Sequence, residues 1–534
     1  MSRSSPLDRR TLLRRSLQIG TTVAGAVLAA TALGEGDVVT RHPTATTTTT
    51  LGPPTTSAWT RLSASLSGTL IRPDDAAYTN DTLLYNAKFV NLHPQAIAYC
   101  ATADDVARCV DFATSHEIAM AARSGGHSYG GYSSCSGLVI DVSRLSSISV
   151  DTTTNVATVG AGAALIDVYN ALGRHGRLLP GGSCPTVGIA GLALGGGVGV
   201  FSRRYGLTCD NLRALQLVTS DAHEITASAE HHADLLWASR GGGGGNYGVA
   251  TSFEFTVHPL PEITLFEWRY PWSAASAMLE AWLPWAASAP DELWSNCQLL
   301  SQGGYGFLAQ VSGVYCGPPS TLDGLLAGLE RAAPPPSERF VGSSEYLAAM
   351  AVEAGCAALS VAACHLHSRN PHGALHRSAY SAKSSYVDRP MTSERAAAMV
   401  AAVARLGRDA PSVGGGLALD AYGGAINAVA PQATAFVHRD ALACIQATYS
   451  WSTWTAPRER RAGERWLAWL GADVFDPTTG AYQNYIDPTL VSWPTAYYGS
   501  NLERLMAVKG RYDPQNHFAF AQSIPVAARG SSRA

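Results

Sequence analysis

Two glycine-rich turns carry the side chains best suited to chemistry. One is Pro180-Gly181-Gly182-Ser183-Cys184-Pro185-Thr186-Val187-Gly188, continuing to Gly199, with eight glycines in twenty residues and a single thiol. The other is Ala122-Arg123-Ser124-Gly125-Gly126-His127-Ser128-Tyr129-Gly130-Gly131, with a single imidazole. Glycine at this density permits positive φ and lets main-chain N–H groups approach a ligand closely. Neither turn contains Gly-Lys-Ser or Gly-Lys-Thr, which excludes a P-loop. Taken singly, each turn fits a structural cysteine or histidine as well as a ligand site. A third run, Gly243-Gly244-Gly245-Asn246-Tyr247-Gly248, satisfies GxGxxG. A dinucleotide fingerprint opens a helix and is followed by an acidic residue about 20 positions on. Here Val249 to Val257 alternates apolar and polar residues as a strand does, so the match is a decoy.

Together the His127 and Cys184 turns resemble the flavin-binding domain of FAD-linked oxidases of the berberine bridge enzyme family, within the vanillyl-alcohol oxidase superfamily. The resemblance implies FAD held by two covalent bonds, from His127 to the flavin 8α-methyl and from Cys184 to flavin C6. It implies cofactor contacts from Arg123, Ser124, Gly125, Gly126, Ser128 and Tyr129 around the histidine. Around the cysteine it implies Gly182, Thr186, Val187, Gly188, Gly191, Gly195 and Gly199. Asn246, Gly248 and Val249 follow from the third glycine run, which in the family closes the FAD domain. The C-terminal block, with Asn484-Tyr485-Ile486-Asp487, Tyr497-Tyr498-Gly499-Ser500-Asn501 and Lys509-Gly510-Arg511-Tyr512-Asp513-Pro514, also matches the family in order and adds Asn484, Tyr498 and Asn501. The likeness runs from about Asn86 to Pro525.

For family members that oxidise alcohols, the resemblance makes Tyr485 the base that removes the O–H proton while the flavin takes a hydride, with Gln446 and Tyr422 beside it. A tyrosine has a reference pKa near 10, so this role needs a cationic or hydrogen-bonding neighbour. Plant relatives have a lysine two residues before the Gln446 position. Here that residue is Cys444, which leaves Tyr422 or Asp420 to activate Tyr485. Val187 occupies the position that gates oxygen in the family, and its small side chain resembles oxidases, implying O2 as acceptor and H2O2 as product. Val198 stands where many relatives have an aromatic residue, implying a more open pocket. The implied reaction is oxidation of an alcohol or hemiacetal carbon of a sugar or glycosylated metabolite. The alternatives are oxidative ring closure on an alkaloid-like or terpenoid substrate, or a flavoprotein without redox turnover.

The elements that must position these residues are legible in outline. Ile97–Cys100, Ile118–Ala122, Leu138–Val142, Val156–Val159 and Leu215–Thr219 read as strands. Residues 103–116 have helical spacing with Thr102 as N-cap, and Leu165–Gly173 is a second helix ended by glycine. Strands and helices alternate, which gives an α+β or α/β domain and excludes a bundle. The resemblance makes it a two-subdomain FAD-binding domain over residues 61–262 and a substrate domain over 263–480 with a helix-covered antiparallel sheet. Residues 481–527 would then return to the FAD domain. Phe266, Trp268, Tyr270, Trp272, Trp282, Trp285 and Trp294 mark where the second domain begins.

Composition sets the remaining bounds. The 534 residues exceed one core, with 46% hydrophobic and 15% charged residues and a formal charge of −3. That balance gives no electrostatic case for nucleic acid. Residues 1–33, with Arg9-Arg10 before Leu12-Leu13 and an apolar run from Ile19 to Leu33, resemble a twin-arginine export signal. The expected mature protein is secreted, monomeric and free of the membrane. Residues 34–60, Thr- and Pro-rich, read as a linker. Cys297 and Cys316 flank Gly303–Gly306 almost symmetrically, as a hairpin would place them, so they could face each other, with a non-sheet geometry an equal alternative. Cys356 and Cys364 lie in a segment often disulfide-linked in secreted bacterial members of the family. No cysteine pair has metal-ligand spacing, so no metal is expected.

Overall fold

The computed structural model describes residues 52–527. The export signal expected over 1–33 and most of the linker lie outside the described residues. Within the last stretch assigned to the linker, Thr56–Ser65 forms a helix, capped by the Thr55 side chain accepting from the Ala58 N–H. Trp59 and Leu62, one turn apart, are buried in the first core, and the Arg72 guanidinium lies 4.4 Å above the Trp59 ring. The Thr/Pro composition that signalled a linker therefore ends before Thr56. Two apolar residues at helical spacing outweigh it once a core is there to receive them.

Among the described residues eighteen strands, numbered β1–β18 in chain order, form the sheets. The first has the order β1-β2-β4-β3, from Thr69–Ile71, Ala96–Tyr99, Met120–Arg123 and Leu138–Asp141. Strands β2 and β3 run parallel to β4, whose four residues are all buried, as parallel strands covered on both faces require. The helix Ala103–Ser115 starts on a capping box in which Thr102 Oγ1 accepts from Asp105 N and Asp105 accepts from Thr102 N. The same carboxylate also accepts from Ser67, Gly68 and Ala101 N–H groups, which ties the helix to β1.

The second sheet has the order β5-β6-β10-β8-β9, from Ile148–Asp151, Val156–Gly160, Leu212–Val218 (β8), Glu224–Ala227 (β9) and Val249–Thr256 (β10). A short pair, β7 (Arg177–Leu178) and β11 (His258–Pro259), lies beside it. The run after the decoy glycines is thus β10, a central strand.

The third sheet is antiparallel, in the order β15-β12-β14-β13-β17-β18-β16. Its strands are β12 (Ile263–Tyr270), β13 (Leu293–Gln302), β14 (Phe307–Tyr315), β15 (Glu338–Ser344), β16 (Ala379–Val387), β17 (Gly414–Ala421) and β18 (Ala443–Trp451). Side chains alternate across a strand, and here the alternation sorts chemistry. Phe266, Trp268, Cys297, Leu299, Val311, Leu419 and Ile445 pack beneath the helices Ala275–Ser288, Ser393–Asp409 and Pro457–Trp469. Glu267, Asn296, Gln298, Gln310, Ser312, Asp420 and Gln446 point the other way, into a cavity.

The expected Cys297–Cys316 facing does not occur. Both thiols are free, and the hairpin register sets Cys297 opposite Val311. Symmetry about the turn glycines missed the true register by several residues. Cys356 and Cys364 do form a disulfide. Among the described residues no helix is long and apolar enough to cross a membrane.

The chain's end is fastened to the first core. Fully buried Lys509 donates to Asn246 O at 2.6 Å and to Asp513 Oδ2 at 2.6 Å. Ile524 N donates to Asn246 Oδ1 at 2.8 Å.

Candidate active site

A cavity of about 510 Å³ lies between the first two sheets and the polar face of the third. Its floor is built from the glycine turns. Arg123 ends β3 beside Asp141 at the end of β4, and their fully buried side chains pair at 2.5 Å. The pair holds the Asp141 carboxyl below its ordinary range, the arginine charges of Arg123 and Arg369 outweighing the cost of burial. The turn leaving this anchor meets the Cys184 turn backbone to backbone. A Cβ on Gly188 would sit 2.0 Å from Ser124 Oγ and 2.3 Å from Gly125 N. Only glycine permits that approach, and it brings His127 and Cys184 to one cavity.

His127 Nε2 hydrogen-bonds Thr186 Oγ1 at 2.8 Å, two residues past Cys184, and leaves Nδ1 as the ring nitrogen for another bond. The ring stacks on Tyr85 at 4.0 Å. Burial, reinforced by the charge of Arg369, pushes the imidazole down to about 3, so it is neutral at any working pH. Burial pushes the Cys184 thiol up, and contacts from Thr186 and Val187 partly oppose the shift.

Most of the expected cofactor residues line this cavity. Arg123 to Tyr129 do so, as do Gly182, Cys184, Thr186, Val187, Gly188, Gly191, Gly199, Gly248, Val249 and Asn484. Four do not. Gly195 lies behind the wall, where a Cβ would be 1.9 Å from Asn484 Oδ1, so this glycine makes room for the C-terminal segment. Asn246 spends its amide on the carbonyls of Gly242 and Gly243 and on Ile524 N. Tyr498 OH donates to Gly242 O at 3.0 Å, and Asn501 Nδ2 donates to Pro431 O at 2.8 Å. These residues hold the shape of the floor.

A planar cofactor fits the donor set and the space. Gly191, on the cavity wall, has no atom within 4 Å of a would-be Cβ, and Gly244 and Gly245 line the same wall. Bare backbone facing open space is the cradle a flavin needs.

Tyr485 enters on a single 3-10 turn, Gln483–Tyr485. Its ring stacks on Tyr129 at 5.3 Å and meets Tyr482 edge-on at 4.9 Å. Tyr482 OH accepts Gly197 N at 2.8 Å, joining this segment to the cysteine loop. Gln446 Nε2 donates to Tyr129 OH at 2.7 Å. Tyr422 does not reach the cavity. It is fully buried, edge-on to Tyr386 at 5.6 Å, among Val198, Phe436 and Cys444. Val198 is likewise buried, 7% exposed, though it still touches the cavity edge.

The activation expected for Tyr485 is not supplied by Tyr422 or by the charge of Asp420. Burial pushes the phenol well above 10, and Asp420, Tyr129, Cys444 and Tyr482 push it further in that direction. None of these influences is a cation. Asp420 itself is raised by burial to about 6, held down by the Asn296 amide at 2.6 Å.

Residue types and turns pointed to the floor and missed the roof. Glu267, Trp294, Asn296, Gln298, Gln310, Ser312 and Glu353 all line the cavity. The signal for them was the period-2 alternation in Asn296-Cys297-Gln298-Leu299 and Gln310-Val311-Ser312, with polar residues on one face of a buried strand.

Known proteins resemble this chain over most of its length. The family described as FAD binding domain matches residues 94–228, and the family described as berberine and berberine like matches 481–525. The chain is 33% identical to the uncharacterised FAD-linked oxidoreductase YgaK of Bacillus subtilis, over 86% of this chain and 97% of that protein. It is 29% identical to glucooligosaccharide oxidase of Sarocladium strictum, over 85% of this chain and 92% of the relative. The solved structure of Physcomitrella patens BBE-like 1 superposes with a TM-score of 0.79 at 31% identity, covering 88% of this chain and 99% of that one.

Proposed function

Because the chain belongs to the berberine bridge enzyme-like family of FAD-linked oxidoreductases, we propose that it is an exported oxidase of a sugar or glycoside carbinol, using O2. The observation that carries the reading is one cavity with His127 and Cys184 in its floor, Tyr485 in its wall and a roof of side-chain amides. Amides donate and accept, so Gln298, Gln310 and Gln446 suit a polyhydroxylated ligand. The sugar oxidase among the relatives supports the same substrate class.

FAD, when bound, supplies the hydride acceptor. His127 and Cys184 would bond it covalently. This chain's own residues handle the proton. Tyr485 takes the alcohol proton and passes its own to Asp420, whose acid at about 6 makes it a suitable base near neutrality. A relay of this kind needs no preformed tyrosinate, which the surroundings of Tyr485 disfavour. Gln446, through Tyr129 OH, fixes the ring on which Tyr485 stacks. Val187 borders the cavity beside Cys184 and would leave O2 a path. The Cys356–Cys364 disulfide suits an oxidising compartment, in keeping with the twin-arginine stretch.

The test is anaerobic mixing of the yellow protein with gluco-oligosaccharides, followed by readmission of air. Bleaching and recovery with stoichiometric H2O2 is the expected result. Absence of bleaching by any sugar, with bleaching by a substrate lacking an exchangeable O–H, would turn the reading toward oxidative ring closure.

A further inference from the structure

The roof holds charge that the proton relay does not use. Glu353 ends the helix Tyr346–Glu353 and lines the cavity, with Glu267 from β12 and Asp420 from β17 near enough to act on it. Glu267 is paired with Arg269 at 2.9 Å. Among the described residues Glu353 and Asp420 have no such ion-pair partner. Arg123 is the only lysine or arginine lining the cavity among the described residues, and Asp141 holds it under the floor. Burial and the neighbouring carboxylates push Glu353 up to about 7. A carboxylate in this position gains most from a ligand that brings its own positive charge.

A second observation is independent of charge. Asn296 is 6% exposed and lines the same roof. Its Nδ2 donates to Asp420, while its buried Oδ1 has no hydrogen-bond partner. A buried acceptor left without a donor calls for a ligand N–H or O–H. Trp294, also 6% exposed, holds on the same strand a buried Nε1 donor without a partner, which fits a hydroxyl oxygen of the same ligand.

Building on the reading of this cavity as the substrate site, we propose that the substrate carries a protonated amine, bound at Glu353 with Asn296 Oδ1 as a neutral acceptor, while its carbinol faces Tyr485. The substrate class is then an amino sugar or an amine-bearing glycoside. Asp420 adds to the field that draws the cation in and remains the proton acceptor of the reaction.

The experiment titrates the flavin-loaded protein and follows the flavin absorbance. One probe set is the glucosamine disaccharide, its N-acetylated form and cellobiose. A second set, free of any sugar, is benzylammonium against benzamide. The expected result is at least tenfold tighter binding of the ammonium member in each set that binds, lost in Glu353→Gln and kept in Glu353→Asp. Flavin content and melting temperature verify that both variants fold. Equal or tighter binding of the neutral members, or a preference untouched in folded Glu353→Gln, overturns the proposal. Retention of the ammonium preference without turnover of any sugar would sink the sugar oxidase reading and leave the amine site standing.

Discussion

The floor and roof of the cavity are built by different physical means. The floor is backbone. Its turns meet where Gly188 and Gly125 leave no room for a side chain, and its charges are locked in the Arg123–Asp141 pair. The roof is side chains, one polar face of a seven-stranded sheet whose other face is apolar and covered by helices. A backbone floor tolerates almost no substitution and suits a constant cofactor. A side-chain roof can exchange one polar residue for another without moving a strand, and suits a substrate that varies among relatives.

The largest effect should come from breaking the floor. Asp141→Asn leaves buried Arg123 without its carboxylate, and loss of one partner of a buried pair costs about 3–5 kcal/mol. Thermal unfolding of the variant should show a fall of that order together with loss of bound flavin. The pair also gives a pH signature. The Asp141 carboxyl lies lower in the folded state than in the unfolded chain, so its contribution is full above the unfolded value and fades as pH falls toward the folded one. Asp141→Asn should flatten that acid limb of the stability profile.

Next is Tyr485→Phe, which removes the hydroxyl at the junction of floor and roof. Flavin reduction by substrate should slow by about 10³-fold, roughly 4 kcal/mol of barrier, with FAD still attached. Stopped-flow reduction at near-normal speed would eliminate Tyr485 as the proton carrier.

Asp420→Asn acts on the roof alone and should slow reduction by about 10²-fold. In the parent enzyme the relay needs ionised Asp420, so kcat/KM should rise with pH through about 6. The variant should lose that limb, and a limb that persists would assign it to another group.

The smallest effect is expected from Val187→Leu. Reoxidation by O2 should fall about tenfold or less while reduction by substrate changes little. If both rates fall together, Val187 shapes the cavity without gating O2.

The outcome for the two regions follows how each is encoded. The His127 and Cys184 turns were legible because their geometry is local: a close backbone approach demands glycine at fixed offsets from each side chain. The helix Ala103–Ser115 was legible for the same reason, its cap lying three residues from its partner. Tyr422 was misjudged because residues two apart share a face only while the strand lasts, and β17 ends at Ala421. Asp420 faces the cavity, whereas Tyr422, just beyond the end of β17, packs against Tyr386. Cys297 and Cys316 failed likewise, since hairpin register is set by cross-strand pairing.

By itself, then, the sequence determined the glycine-rich turns of the FAD-binding domain and the family to which the chain belongs. Each is written in contiguous residues whose chemistry does not depend on distant partners. The tertiary structure alone decided that Asn296, Glu353 and Asp420, far apart in the chain, share one roof, and that Tyr485 stands among groups that keep its proton on. Those facts arise from strand order and burial, which no single segment carries.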